Sequence, residues 1–110
     1  MRSIKCSVII ANFNGKDYLN RCLNSVLREK GDYEIIVVDD DSPDKSGHLA
    51  YEQFKNNPRV KFILSKKNRG VAYSRNTGAK ITRGKYLFFL DNDTEIKPNW
   101  LSKIDGFFRK

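Results

Sequence analysis

The stretch Tyr86-Leu87-Phe88-Phe89-Leu90-Asp91-Asn92-Asp93 decides how the chain is read. An apolar run of strand length ends in two carboxylates one residue apart. With Gly84 before it and a polar turn after it, the run predicts a buried strand. The carboxylates then stand at its C-terminal end, where an open α/β sheet holds its ligands. Two close carboxylates repel each other and are costly to desolvate, so the pattern calls for a cation beside them. A divalent metal carrying phosphate oxygens meets that requirement, because hard cations take oxygen ligands. A solvated turn is the other reading of these residues, since Asp and Asn are turn formers.

Upstream, strands and helices alternate. Ile4 to Ala11 predicts a first strand centred on Val8-Ile9-Ile10, followed by a turn at Asn12-Phe13-Asn14-Gly15. Asp17 is placed to cap a helix whose apolar stripe is Tyr18, Leu19, Cys22, Leu23, Val26 and Leu27. Tyr33 to Val38 is β-branched and nearly continuous, which predicts a second strand buried on both faces. A second helix runs from Ser46 to Lys55 with Leu49 and Phe54 inward, and Val60 to Leu64 is a third strand. A loop over Lys66 to Gly70 leads into a third helix, Val71 to Thr82. Pro98 suits the first turn of a fourth helix bearing Trp100, Leu101, Ile104, Phe107 and Phe108.

This alternation implies a single α/β domain over residues 1–110, a mostly parallel sheet with helices on both faces. With the first strand central, the strand order is 3-2-1-4, and the chain reverses between strands one and four. That crevice is the expected ligand site. Ala11 to Asn14, Asp39 to Asp41 and Asp91 to Asp93 would line it, all at strand C-termini. In the third helix, Val71, Ala72 and Ala79 define an inward stripe that also carries Arg75. An inward Arg needs a carboxylate or a phosphate, and an ion pair with Asp39 or Asp91 is the favoured partner. Asn68, Asn76 and Gly78 flank it as turn, capping or close-approach residues.

Composition narrows the classes. The chain has 110 residues, 39% hydrophobic and 31% charged, with a net charge of +8. That suits one globular domain, and no apolar run approaches the roughly 20 residues of a membrane helix. Met1-Arg2-Ser3 leads straight into a strand, so no signal peptide is expected. Cys6 and Cys22 lack metal-type spacing and read as small buried residues in a reducing compartment, although a disulfide stays open as an alternative. The acids gather at 39–44 and 91–95 while the bases are dispersed, apart from Lys66-Lys67-Asn68-Arg69. The aromatics fall on core stripes rather than beside that cluster, so no nucleic acid is expected as a partner. A phosphoacceptor domain would need an acidic pair after the first strand, where this chain has Asn12-Phe13-Asn14.

Four ordered segments resemble family 2 glycosyltransferases, inverting enzymes of the GT-A fold. They are Ser7 to Asn14, Glu34 to Ser42, Asn68-Arg69-Gly70 with Ala72 and Arg75 to Gly78, and Phe89 to Asp93. The resemblance implies the Rossmann-like, nucleotide-binding half of that fold, with a nucleotide-sugar donor, commonly a UDP-sugar. It implies Mg or Mn held by Asp91 and Asp93. It implies donor contacts from Ala11, Phe13, Asp40, Asn68, Arg75 and Asn92, with Phe13 stacking on the base and Asp40 accepting a hydrogen bond from it. Asp39 is then structural. Asn12, in place of the more usual Pro or Ser, and Asp41, in place of Gly or Asn, depart from the pattern.

The family's acceptor cleft and catalytic base belong to a longer chain, and no residue here matches that base. The chain therefore reads as the donor half of an enzyme that transfers a sugar, with inversion, to a sugar, lipid or polysaccharide hydroxyl. The alternative is a non-catalytic nucleotide- or metal-binding module derived from one. The implied setting is cytoplasmic, including the cytoplasmic face of a membrane. An uncovered edge of strand four with Trp100, Phe107 and Phe108 would favour a homo-oligomer.

Overall fold

The computed structural model describes residues 4–108. Met1-Arg2-Ser3, Arg109, Lys110 and the side chain of Phe108 lie outside the described residues. Eight elements alternate as β1 (Ile4–Asn12), α1 (Leu19–Leu27), β2 (Tyr33–Asp39), α2 (Ser46–Phe54), β3 (Val60–Leu64), α3 (Val71–Ala79), β4 (Gly84–Asp91) and α4 (Trp100–Phe108). Every strand pairing is parallel, and the order is β3-β2-β1-β4, as expected.

Register sorts the strand side chains into two layers, because successive residues point to opposite faces. Val8, Ile35 and Phe88 are in register, as are Ile10, Val37 and Leu90. This layer meets Leu19, Cys22, Leu23 and Val26 of α1, Ala50 and Phe54 of α2, and Trp100 and Leu101 of α4 in one core. The opposite layer, with Ile9 beside Ile36, lies under α3. There the helix backbone comes very close. A Cβ on Gly78 would stand 2.8 Å from Cγ2 of Ile9 and 3.0 Å from Cγ2 of Val38. Three helices thus cover one face and a single helix the other.

Several expectations fail for physical reasons. The inward residues of α3 are Ser74 and Gly78, while Val71 and Ala72 are exposed and Ala79 is half-buried. Small residues let that helix settle onto the sheet, so its inner face is marked by size and not by hydrophobicity. Because α3 lies over β1 and β2, β4 is covered on one side only, with Leu87 and Phe89 exposed on the other. It is an alternating edge strand, not a fully buried one. Leu49 points outward, and Ser46, Gly47, Ala50 and Phe54 form the inner face of α2.

Tyr18 is also exposed, and Asp17 caps nothing: the chain enters α1 through a turn on the Gly15 carbonyl. Pro98 precedes α4, which starts after Asn99, whose φ is 66°. Trp100 is buried, edge-on to Tyr33 at 5.0 Å, with its Nε1 donating to the Val26 carbonyl, so it belongs to no exposed patch. Cys6 and Cys22 are both buried free thiols. No helix among the described residues is long and apolar enough to cross a membrane.

Candidate functional site

The crevice at the C-terminal ends of β1, β2 and β4 is built around Asn12. Its Nδ2 donates to Oδ1 of Asp39 and to Oγ of Ser46, each at 2.9 Å. Its Oδ1 accepts from Nδ2 of Asn92 at 2.9 Å, and its carbonyl accepts from the Asp40 N–H at 2.9 Å. One buried amide therefore ties together three loops that are far apart in sequence. Asp39 is fully buried on the α2 side of the sheet, where it also accepts from the Ser42 hydroxyl at 2.6 Å and the Ser42 N–H at 3.1 Å. A Cβ on Gly47 would collide with it at 2.3 Å, so α2 can lie there only with glycine. Asp39 is thus structural.

The next residue turns the other way. The Asp40 carboxylate accepts the Arg69 and Gly70 N–H groups, one on each oxygen, both at 2.8 Å. A negative group here also complements the positive end of the α3 dipole. Nδ2 of Asn68 donates to the Asp40 carbonyl at 3.1 Å. Gly70 adopts a φ of 95° to present its amide, a backbone angle that favours glycine. Asp41, at a φ of 58°, sits in the left-handed region that Gly and Asn enter most readily and Asp tolerates.

Between β1 and α3 lies a small cleft of about 50 Å³ lined by Ala11, Asn12, Phe13, Asp40, Val71 and Ser74. Phe13 stands at its mouth with 46% of its surface exposed. Such exposure suits a stacking platform rather than a core-edge aromatic. Oγ of Ser74 is buried and, among the described residues, is the one buried side-chain polar atom without a hydrogen-bond partner.

On the other side of β1, Asp91 is in register with Ala11. Because Asn92 turns inward to Asn12, its neighbours Asp91 and Asp93 project into solvent. Arg75 does find its partner in Asp91, with Nη2 3.1 Å from Oδ1. Both side chains are substantially exposed, so the pair adds little stability and serves to orient the carboxylate. Burial, reinforced by the charges of Asp93 and Asp91, pushes the Cys22 thiol up to about 12. The same two carboxylates therefore make this corner of the crevice electronegative.

Among the described residues no group of three or more His, Cys, Asp or Glu side chains could hold a metal alone. Two outward carboxylates fit an ion that completes its shell with ligand phosphates and water, as Mg²⁺ commonly does. The structure thus brings Ala11, Phe13 and Asp40 to one side of the crevice and Asp91, Asn92, Asp93 and Arg75 to the other, with Asn68 behind Asp40. Asn92 acts as a tether within the chain. Sequence reasoning placed Asn12 in the crevice without its bonding role, and it missed Ser74. The only signal for Asn12 was a polar residue at the end of a buried strand, and Ser74 was hidden by the assumption that large apolar residues mark the inner face. The expected separation of aromatics from bases also fails at one point, where the Arg69 guanidinium lies 5.0 Å from the ring centroid of exposed Tyr73.

A parallel sheet of order 3-2-1-4, with carboxylates and an exposed aromatic at its switch point, defines an open α/β domain with its crevice where such sheets hold ligands. Comparison with known proteins gives the family. The family described as glycosyl transferase family 2 matches residues 7–110, and the chain belongs to it. It is 42% identical over 108 residues to the poly(ribitol-phosphate) beta-N-acetylglucosaminyltransferase TarP of Staphylococcus aureus, covering 94% of this chain and 32% of that protein. It is 35% identical over 105 residues to the chondroitin synthase of Escherichia coli, covering 94% of this chain and 15% of that one. The crystal structure of S. aureus TarS in complex with UDP superposes with a TM-score of 0.86 at 28% identity, covering 96% of this chain and 32% of that chain. The fold is therefore that of the GT-A glycosyltransferases. The chain spans about a third or less of the length of these relatives.

Proposed function

We propose that this chain is the donor-binding part of a glycosyltransferase that takes a UDP-sugar and transfers the sugar with inversion. The observation that carries this reading is the division of labour at residues 91–93: Asn92 is tied inward to Asn12, and Asp91 and Asp93 face solvent beside the Ala11–Phe13–Asp40 cleft. Support comes from the structural neighbour that was crystallised with UDP.

In this reading Phe13 stacks on the uracil ring, Ala11 offers backbone contacts beside it, and Asp40 accepts from the base. Asp91 and Asp93 would hold Mg²⁺ or Mn²⁺, with Asp93 the more direct ligand because Asp91 is shared with Arg75. The bound ion would offset the negative charge that builds on the departing diphosphate. Arg75 would hold the Asp91 carboxylate in place for the ion and supply a second positive charge at the site. In the transfer, an acceptor hydroxyl oxygen of a sugar, lipid or polysaccharide forms a bond to the anomeric carbon. The bond from that carbon to the diphosphate oxygen breaks, and the hydroxyl proton goes to a base outside these residues. The setting that fits a sugar-nucleotide donor is the cytoplasm or the cytoplasmic face of a membrane.

The test is calorimetric titration of UDP with and without Mn²⁺. Wild type is expected to bind UDP in a metal-dependent way, and Asp91→Ala with Asp93→Ala to abolish that dependence while leaving the circular dichroism unchanged. Metal-dependent UDP binding that survives the double change would mean the site is misassigned.

A further inference from the structure

Ser74 holds a hydroxyl that the fold does not use. It is 1% exposed on the inner face of α3, and its Oγ has no partner. Other helix hydroxyls here bond back along their helix: Ser25 Oγ donates to the Cys22 carbonyl at 2.7 Å and Thr77 Oγ1 to the Tyr73 carbonyl at 2.8 Å. The Gly70 carbonyl, one turn before Ser74, takes the Ser74 amide and not its hydroxyl. A buried polar atom left unpaired calls for an explanation, and a missing ligand is one of the few available. Ser74 lines the same cleft as Phe13 and Asp40.

We propose that Ser74 is a further binding residue of the donor site, its hydroxyl taking its missing hydrogen bond from the edge of the bound base. This rests on the donor-site reading above. The cleft, at about 50 Å³, holds little more than a water and so admits the edge of a pyrimidine ring lying against Phe13, not the whole ring. Two protein groups face that edge. An ionised carboxylate such as Asp40 only accepts, whereas a serine hydroxyl can donate. Uracil presents an N3–H flanked by two carbonyl oxygens, so N3–H donates to Asp40 and one flanking oxygen accepts from Ser74. Cytosine presents a bare N3 acceptor, which would face the carboxylate lone pairs and lose the contact. Asp40 therefore tells uracil from cytosine, whereas the Ser74 hydroxyl, able to donate or accept, gains a partner from either base.

The experiment titrates UDP and CDP, each with Mn²⁺, into the wild-type chain and Ser74→Ala, and records thermal melts of both proteins without ligand. The expected result is a fivefold to tenfold weaker UDP affinity in the variant, on the order of one neutral hydrogen bond. CDP affinity should fall by a similar factor, so the UDP preference set by Asp40 is kept. The ligand-free variant should melt at the wild-type temperature or above, because the lost hydroxyl had no partner. Equal UDP affinity in the two proteins overturns the role of Ser74 and leaves the donor-site reading standing. A variant that melts several degrees lower overturns it too. A wild-type chain that binds no UDP overturns both.

Discussion

Replacing Asn12 by alanine should cost this fold about 3 kcal/mol while touching no residue of the hydrophobic core. The side chain makes three hydrogen bonds, to Asp39, Ser46 and Asn92, each at 2.9 Å. The bond to the Asp39 carboxylate is charge-assisted and worth roughly 1.5–3 kcal/mol, and the two neutral bonds about 1 kcal/mol each. The sum is an upper figure, because neighbouring losses are not additive and Asp39 keeps both bonds from Ser42. Against a total stability on the order of 5–15 kcal/mol, the change is large.

Urea denaturation is the assay. With a slope of about 1–3 kcal/mol per molar, the midpoint should fall by roughly 1–3 M at unchanged slope. Asn92→Ala alone should cost about 1 kcal/mol, and the double variant less than the sum, by a coupling of about 1 kcal/mol. A midpoint that does not move, or strict additivity of the two changes, would refute the idea that Asn12 holds the three loops together.

Other outcomes follow from buried charges and open surfaces. Glu34 is buried, which raises its pKa, but the Ser7 hydroxyl, the Arg83 N–H and Lys61 outweigh burial and hold it below the usual range. Its stabilising contribution is therefore present above the unfolded value of about 4.3 and lost as pH falls through the lower folded value. Glu34→Gln should flatten the acid limb of a melting-temperature profile, and an unchanged limb would exclude Glu34 as its source. Burial pushes Cys6 to about 11 and Cys22 to about 12, so neither thiol should react with a disulfide reagent at neutral pH until the protein unfolds. Labelling faster than unfolding would show that the core opens locally. The β4 edge, with Leu87 and Phe89 exposed and Phe107 exposed on α4, should draw copies together at high concentration. Light scattering is expected to report a dimer or larger species that Leu87→Lys with Phe89→Lys returns to monomer, and a monomeric wild type would count against this.

The layers were legible because hydrophobic runs are read directly. Val8-Ile9-Ile10 and Ile35-Ile36-Val37-Val38 are fully buried, as near-continuous β-branched runs predict for central parallel strands. Asp91 and Asp93 were legible as a pair because the apolar run stops at Leu90 and leaves them at the sheet end. The seat of α3 was not, because close backbone contact through Ser74 and Gly78 leaves no hydrophobic period to detect. Nor was Asn12, whose residue type reads as a turn. Its importance comes from partners at positions 39, 46 and 92, which only the folded chain brings within reach.

The start of α3 hangs from the Asp40 carboxylate by the amides of Arg69 and Gly70. Those two protons are consequently a gauge of what else the carboxylate is holding. A ligand docked on Asp40 would compete for the same lone pairs. Without any label or assay of turnover, amide exchange at residues 69 and 70 would register occupancy of the Asp40 carboxylate.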